Sequence, residues 1–437
     1  MINDSDLPRF CAQLRAAETL KLAGCLFNCL LTYEAPRERP MRLQGSRTAN
    51  ADLLVFSRRA VLATVLAPMS FVAPKHAVCA APEPPLTAVP QRQRFEVTFE
   101  YLPVSRSEVP GMRRVQVPVE IQTPATQPGQ FDTGPPVVIF SPGFLQSAAS
   151  YGTFLAQLLA AGLVVVTYDK SFEELSSLVD DIDSAQLLAR VRAEVASRLG
   201  EPGAGPCFLA GHSRGGKLSV LAAAERTSPQ PPPLPSGLQA AEVGAIAGRG
   251  AAVSMLPYQP PPSYPVSGLV LLDPADGAFE PQDPGRYPSA LPLLRNQTEL
   301  ADVPVLLLGA GRGGDCVPKA KSYSAFFAAC RGPCALVTLK DAGHLQFLDA
   351  SDSLTRSICA TGRGVANTQV AAASGRLAAD FIRGVAAGAA AAGGGGGGQA
   401  AAPGGASAAA LERLCREGLG GVGLRYEVQV SGGGEAG

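Results

Sequence analysis

A short turn around Ser213 constrains the fold of this chain more than any other feature. The stretch Phe208-Leu-Ala-Gly-His-Ser-Arg-Gly-Gly-Lys217 begins apolar, tightens at its glycines and continues into an alanine- and leucine-rich segment. It is a G-x-S-x-G pattern in the strand–turn–helix context that the pattern requires. The turn is so sharp that the residues two before and two after the serine crowd together, so both must be glycine. The pattern predicts that Ser213 is a catalytic nucleophile in a strained backbone conformation.

Length and composition allow one large α/β domain with appendages. The chain has 437 residues, 37 basic against 37 acidic side chains and no tryptophan. This balance does not indicate a nucleic-acid partner. No apolar run reaches 18 residues, so no transmembrane helix is predicted. The ten cysteines show neither CxxC pairs nor Cys/His zinc spacing, and we expect no metal and no cofactor.

The first 81 residues resemble a targeting region. Residues 1–56 show little periodicity and resemble a transit peptide. A twin arginine, Arg58-Arg59, then precedes a short apolar run, with small residues at Val78-Cys-Ala-Ala81. That order is typical of a twin-arginine export signal. The prediction is therefore delivery to the chloroplast, where the export signal would lead to the thylakoid lumen.

Strands alternating with helices predict an α/β fold for residues 82–386. Phe95–Tyr101 and Arg114–Ile121 alternate apolar and polar residues, which indicates antiparallel edge strands at the N-terminal side. The later apolar runs are continuous, as in buried parallel strands covered by helices on both faces. They are Pro136–Phe140, Leu163–Tyr168, Cys207–Ala210, Val266–Asp273, Val303–Leu308 and Ala335–Leu339.

Two segments interrupt or follow this pattern. Residues 228–265 are rich in proline and glycine, and we interpret them as a low-complexity insertion. Residues 387–437 begin with an Ala/Gly tract that predicts a linker, followed by a short tail. Within that tail, Arg425–Val430 alternates like a last edge strand.

A serine nucleophile needs a base, and the chain has only three histidines. His76 lies in the targeting region, and His212 adjoins the serine in a turn that points its side chain away. His344 follows the last predicted central strand. The order of Ser213 before His344 is that of the α/β-hydrolase fold, so His344 is the predicted base.

The residue that orients the imidazole remains a choice between two aspartates. Asp273 ends the strand after the elbow helix, and Asp315 follows the next strand. Physical reasoning alone leaves both open, while the generic position in this fold favours the later one. Asp276 and Asp341 are weaker candidates, because they are typical of turns and caps.

An oxyanion hole needs two backbone donors near the serine. The N–H of Arg214, directly after the nucleophile, is one predicted donor. The other is the N–H of Phe144, in the Ser141-Pro-Gly-Phe144 loop after an early strand. Gly143 would permit the tight bend there.

Four blocks along the chain resemble the chlorophyllase family. The heptapeptide Gly211–Lys217 is similar to that family's lipase motif. In order follow Leu271-Leu-Asp-Pro-Ala-Asp-Gly277, the cysteine-bounded segment Cys316–Cys330, and Asp341-Ala-Gly-His-Leu-Gln-Phe-Leu-Asp349. The likeness covers roughly residues 95–385.

The resemblance implies a triad of Ser213, His344 and Asp273, and hydrolysis of chlorophyll to chlorophyllide and phytol. It also implies a pigment substrate. A further expectation is peripheral contact with the thylakoid membrane. Ser141-Pro142 departs from the family, which usually has a histidine before Gly-Phe. The Ser-Pro-Gly-Phe sequence found here is closer to that of bacterial polyester hydrolases and cutinase-like enzymes. The alternatives are therefore a broad lipase or polyesterase, or a non-catalytic pigment-binding protein.

Overall fold

The computed structural model describes the residues that build one α/β unit. These are residues 90–101, 113–124, 134–169, 180–200, 205–225, 264–277, 285–296, 298–312, 317–351, 359, 361–362, 364–393, 412–413, 416 and 424–431. The predicted targeting region and almost all of the 228–265 insertion lie outside the described residues, so both stay predictions.

Nine strands of the described residues form one mixed sheet. Their order across the sheet is β1-β2-β4-β3-β5-β6-β7-β8-β9. The strands are β1 Gln91–Tyr101, β2 Arg113–Thr123, β3 Val137–Ser141, β4 Val164–Tyr168, β5 Cys207–His212, β6 Val266–Leu272, β7 Val305–Ala310, β8 Cys334–Leu339 and β9 Tyr426–Ser431.

The strand directions agree with the predicted fold class. Strands β3 to β8 pair in parallel, whereas β1, β2 and β9 pair antiparallel at the two edges. The α/β-hydrolase fold with antiparallel N-terminal edge strands, predicted from sequence, is therefore confirmed. The C-terminal edge strand also forms, since Val428 and Val430 pack partly against the core.

Helices cover the sheet on both faces. The helices are α1 Gly152–Ala160, α2 Asp181–Leu199, α3 Arg214–Glu225, α4 Leu291–Asn296, α5 Tyr323–Ala329 and α6 Asn367–Gly393. Alternate residues of each central strand point into two separate hydrophobic cores. In β3, Val137 and Ile139 belong to the core that contains α2, α3, α4 and α5. Val138 and Phe140 belong to the core that contains α1 and α6. Burial on both faces is why these strands are continuously apolar.

Two helical features differ from the sequence expectation. Helix α6 runs through Gly393, into the tract expected to be a linker, because alanine has the highest helix propensity and the run of glycines begins only at its end. Helices α4 and α5 were not predicted. Each has only six or seven residues, too few to display a helical period in sequence.

The topology has a switch point beside β3. The chain passes from β3 to β4 on one side, and then crosses to β5 on the other side of β3. In open α/β sheets, ligands bind at the carboxyl ends of the strands where the order reverses in this way. The loops after β3 and β5, which carry Phe144 and Ser213, meet at this point.

Candidate active site

Ser213 occupies a sharp turn between β5 and α3. Its φ is +54°, in the left-handed region that non-glycine residues rarely adopt. Its N–H donates to the carbonyl of Leu272 at 2.9 Å, and its own carbonyl accepts from Gly216 at 3.0 Å. Backbone strain of this kind persists only where the surroundings impose it. The described turn is the predicted elbow.

The glycines on either side of the serine have a steric cause. A Cβ on Gly211 would lie 2.3 Å from the backbone of Gly215. A Cβ on Gly215 would lie 2.1 Å from the carbonyl oxygen of Ser141, in the loop after β3. The elbow thus packs backbone to backbone against itself and against the neighbouring loop, with no room for a side chain.

His344 reaches the serine from the loop after β8. Its Nε2 lies 3.0 Å from Ser213 Oγ. The residue begins a 3₁₀ turn, His344–Phe347, and Gln346 anchors that turn. The Gln346 Oε1 accepts from the N–H groups of Gly343 and Gly362, at 2.7 and 2.6 Å, and its amide donates to the carbonyl of Val365 at 2.7 Å.

Asp273 is the aspartate that contacts this histidine. Its Oδ2 lies 2.6 Å from His344 Nδ1, and its Oδ1 accepts from the N–H of Ala310, at the end of β7, at 2.9 Å. Its φ is +39°, so it also sits in strained backbone. Asp315, the competing candidate, lies outside the described residues. When His344 is neutral, a proton on Nδ1 shared with Asp273 leaves Nε2 to accept from the serine hydroxyl.

The two weaker aspartate candidates lie in other contacts. The carboxylate of Asp276 accepts from the N–H of Ala290 at 2.7 Å and from the hydroxyl of Ser289. Asp341 accepts from Arg425 Nε at 2.8 Å. In the described residues neither carboxylate contacts His344, so their assignment as turn-stabilising residues agrees with their contacts.

The two predicted oxyanion donors belong to adjoining elements. Phe144 follows β3, and Arg214 is the first residue of α3. The β3–β5 register pairs Ser141 with Gly211, which brings the ends of the two strands level. The Arg214 guanidinium carbon lies 5.8 Å from the centre of the Phe144 ring. The structure therefore brings these two residues together near Ser213, and the assignment of their backbone N–H groups as oxyanion donors stays a prediction.

Beneath the elbow lies a buried charge cluster that the sequence did not indicate. Asp181 accepts from Arg214 Nε at 2.7 Å and from Lys217 Nζ at 2.8 Å. Lys217 Nζ also donates to the carbonyl of Asp276 at 3.3 Å. Burial acts to raise the pKa of Asp181, but the two cations outweigh it and hold that pKa below its ordinary value. The arginine and lysine of the heptapeptide thus fasten α3 to α2 and to the loop after β6.

Two further residues near the site make contacts that the sequence did not indicate. His212 lies buried beside the nucleophile, and its ring contacts the hydroxyl of Tyr151 and the backbone of His344. These partners agree with the prediction that the His212 side chain points away from Ser213. Tyr151 lies in the 3₁₀ turn before α1, where no motif marks it.

The arrangement provides the groups that nucleophilic acyl transfer needs. The hydroxyl of Ser213 on a strained turn contacts the imidazole of His344, the buried carboxylate of Asp273 contacts that imidazole, and the two predicted amide donors belong to adjoining elements. Among the described residues, no three His, Cys, Asp or Glu side chains cluster as metal ligands would. None of the helices in the described part of the chain is long and apolar enough to cross a membrane.

A match to a known protein family agrees with this fold. Residues 138–355 match the profile of a family described as "Alpha/beta hydrolase family". A search of curated proteins gave no significant match.

Solved structures of similar architecture include three esterases. A ferulic acid esterase from Streptomyces cinnamoneus is 17% identical, with 68% of this chain and 91% of that chain covered and a TM-score of 0.41. The esterase domain of a Rhodothermus marinus protein is 17% identical, with coverages of 67% and 98% and a TM-score of 0.38. A Thermogutta terrifontis esterase is 18% identical, with coverages of 66% and 93% and a TM-score of 0.38.

The profile match spans β3 to the loop after β8, which are the elements that carry Phe144, Ser213, Asp273 and His344. The nine-stranded sheet has the strand order and directions of that family's fold. The chain has the alpha/beta-hydrolase fold, and its residues 138–355 are those of an alpha/beta hydrolase family member.

Proposed function

We propose that the chain is a serine carboxylic-ester hydrolase whose substrate is the phytyl ester of chlorophyll. The contact of His344 Nε2 with Ser213 Oγ, with Asp273 behind the imidazole, is the observation that carries the hydrolase part. A binding protein has no need of a serine in strained backbone at a topological switch point, with an imidazole nitrogen 3.0 Å from its hydroxyl. This argues against the non-catalytic alternative.

The reaction follows from the positions of these groups. Ser213 Oγ attacks the ester carbonyl carbon while its proton passes to His344 Nε2. The Asp273 carboxylate holds the imidazole and stabilises its cation. The amides of Phe144 and Arg214 donate to the oxyanion of the tetrahedral intermediate.

Collapse of that intermediate expels the alcohol, phytol, which takes the proton from His344. The pigment's propionyl group is then an ester of Ser213. Water attacks this acyl-enzyme, giving its proton to His344, and the second collapse returns the proton to Ser213 as chlorophyllide leaves.

The pigment as substrate rests on the four chlorophyllase-like blocks, and these blocks contact one another in the fold. Lys217 of the first block donates to the carbonyl of Asp276 in the second. The N–H of Asp276 donates to the carbonyl of Lys321 in the third block at 2.8 Å. His344 of the fourth block contacts Asp273 of the second. The four blocks, far apart in sequence, are thus linked by direct contacts, and the first of them contains Ser213.

A broader lipase or polyesterase is the second candidate, and a specific feature favours it. The pair Ser141-Pro142 stands where chlorophyllases usually have a histidine before Gly-Phe. Ser141 is fully buried, and its hydroxyl lies 2.7 Å from that of Tyr168. The loop in front of Phe144 is therefore anchored differently from a histidine-bearing one. Phe144 and Leu145, 51% and 39% exposed, are the exposed large apolar side chains of the described part, and they would meet an apolar ester of either kind.

Location and partners belong to the same proposal. The twin arginine and the small residues after it favour a chloroplast protein, delivered to the thylakoid lumen or associated with the thylakoid membrane. The pigment would be met at that membrane. The proposed reaction uses no metal or organic cofactor, because the chain and water supply each group it needs.

One paired assay tests the proposal. The full chain is incubated with chlorophyll a and separately with p-nitrophenyl butyrate, alongside Ser213→Ala. We expect wild type to release chlorophyllide and the serine variant to release none, while circular dichroism shows that both are folded. Turnover of the nitrophenyl ester alone would make the protein a broad esterase. Pigment binding without turnover of either ester would replace the hydrolase by the binding protein.

A further inference from the structure

A buried chain of hydrogen bonds passes behind the elbow through residues that the proposed reaction does not use. His212 Nδ1 lies 2.9 Å from the hydroxyl of Tyr151, and His212 Nε2 lies 2.9 Å from the carbonyl oxygen of His344. The N–H of Gly143 donates to the same Tyr151 hydroxyl at 3.1 Å. Tyr151 is fully buried and His212 is 1% exposed, so solvent cannot substitute for any of these partners.

The groups at the two ends of this series of hydrogen bonds determine which atom donates in each bond. The carbonyl of His344 can only accept, so His212 Nε2 carries a proton. A neutral ring then accepts at Nδ1, and the Tyr151 hydroxyl donates to it. The Tyr151 oxygen in turn accepts from Gly143. Burial, and next the nearby His344, hold the pKa of His212 well below its ordinary value, while burial raises the pKa of Tyr151, so both groups stay neutral.

These hydrogen bonds, from the Gly143 N–H through Tyr151 and His212 to the His344 carbonyl, form what we call the relay. One end of the relay adjoins a proposed oxyanion donor, and the other end is the backbone of the proposed base. Gly143 directly precedes Phe144, whose amide is a proposed oxyanion donor. His344 carries the proposed base, and its ring lies 4.8 Å from the His212 ring between centroids. A Cβ on Gly143 would lie 3.0 Å from His212 Nδ1, so the turn rests directly on the histidine ring.

We propose that His212 and Tyr151 are positioning residues, which hold the Gly143–Phe144 turn and the His344 backbone at a fixed separation across Ser213. The proposal rests on the proposed hydrolase function. Catalysis by oriented groups is sensitive to separation, since a shift of about 1 Å can cost roughly 100-fold in rate. Cutting the relay allows the turn and the base to move relative to one another.

The fold does not depend on the relay alone to join these segments. The N–H of Asp349 donates to the carbonyl of Ser150 at 2.8 Å. Both carboxylate oxygens of Asp349 accept from the N–H of Thr153 at 3.1 Å. These contacts tie the start of α1 to the loop after β8 independently of Tyr151 and His212. Variants at Tyr151 or His212 are therefore expected to fold with the start of α1 still joined to the loop after β8, while the Gly143–Phe144 turn and His344 are held less exactly.

The first test is Tyr151→Phe in the full chain, with p-nitrophenyl butyrate as substrate. We expect kcat to fall roughly 10- to 100-fold with KM changed less than about threefold, because binding surfaces stay while the oxyanion turn loosens. Tyr264→Phe is the matched control. It removes a hydroxyl that donates to the carbonyl of Gly205 at 2.8 Å, before the start of β5 and at the opposite end of that strand from the elbow, and should change kcat less than about threefold.

The second test is a double-mutant cycle. If Tyr151 and His212 act as one relay, Tyr151→Phe combined with His212→Ala should lose no more kcat than the worse single variant. His212→Gln, whose amide can still donate to the His344 carbonyl, should recover part of the His212→Ala loss. Additive losses, or equal kcat in Tyr151→Phe and Tyr264→Phe, would overturn the positioning role.

Failure of this proposal can be told apart from failure of the proposed function. Labelling of Ser213 by a fluorophosphonate reports the nucleophile without any turnover. If wild type neither labels nor hydrolyses, the hydrolase proposal itself is wrong. If wild type labels and turns over while the two tyrosine variants behave alike, only the relay is wrong. Should His212→Ala fail to fold, the two tyrosine variants decide the matter by themselves.

Discussion

Asp273 Oδ2 lies 2.6 Å from His344 Nδ1, although 71 residues separate the two in sequence. The contact forms because β6 and β8 lie on either side of β7, with their carboxyl ends at one edge of the sheet. The end of β7 completes it, since the N–H of Ala310 binds the second oxygen of the carboxylate. Three neighbouring strands thus define where the proposed base sits.

This contact predicts which aspartate catalysis requires. Asp273→Asn keeps the size of the side chain, but it favours the imidazole tautomer with its proton facing Ser213. We expect kcat to fall about 10⁴-fold, as loss of the orienting carboxylate does in other serine hydrolases. Asp315→Asn is the control and should stay within about threefold of wild type. A large loss in the Asp315 variant alone would move the acid to the later position.

The elbow predicts a large difference between two glycine substitutions. Gly215→Ala places a methyl group 2.1 Å from the Ser141 carbonyl oxygen, so the elbow or the loop after β3 must shift. We expect loss of activity and a lowered midpoint of thermal unfolding. Gly388→Ala is the control, because this exposed glycine of α6 has no atom near its added Cβ. It should raise stability by about 0.5–1 kcal/mol. Equal midpoints for the two variants would contradict the packing described.

The charge cluster predicts that Lys217 matters for stability. Lys217→Met leaves the buried Asp181 carboxylate with Arg214 but without Lys217. Removing one partner of a buried ion pair lowers the free energy of unfolding by about 3–5 kcal/mol in comparable cases. Lys340→Met is the control, since Lys340 pairs with Glu427 at the surface and such pairs contribute at most about 1 kcal/mol. Urea unfolding at pH 7 measures both. A Lys217 variant as stable as the Lys340 variant would mean that water or a rearranged Arg214 satisfies Asp181.

His212 predicts a pH dependence of folding. Its pKa is lowered in the folded protein, so below about pH 6.5 the unfolded chain takes up a proton that the folded one does not. The associated stability is present above that pH and is lost as the pH falls, by up to about 1.4 kcal/mol between pH 7.5 and 5.5. Urea unfolding at pH 7.5 and 5.5 measures the free energy of unfolding at each pH. The decrease between the two values should be smaller by this amount in His212→Gln than in wild type. Identical losses in wild type and variant would show that His212 protonates without cost.

Much of the fold and the proposed nucleophile and base could be predicted from local pattern. The G-x-S-x-G turn, continuous apolar runs and alternating edge strands are properties of neighbouring residues, and each formed close to its expected bounds. With three histidines in the chain, elimination left His344. Helices α4 and α5 escaped because they are too short to show a period, and α6 exceeded its expected end because alanine extends a helix.

The amino-acid sequence by itself determined the strand–turn–helix elbow at Ser213, since the crowding of Gly211 and Gly215 is a local steric requirement. Only the tertiary structure decided which partners meet there. Asp273 reaches His344 because of strand order, and Tyr151 and His212 join the Gly143 turn to the His344 backbone through contacts between distant segments. Such contacts depend on side-chain distances across the sheet, and no local pattern of residues encodes those distances.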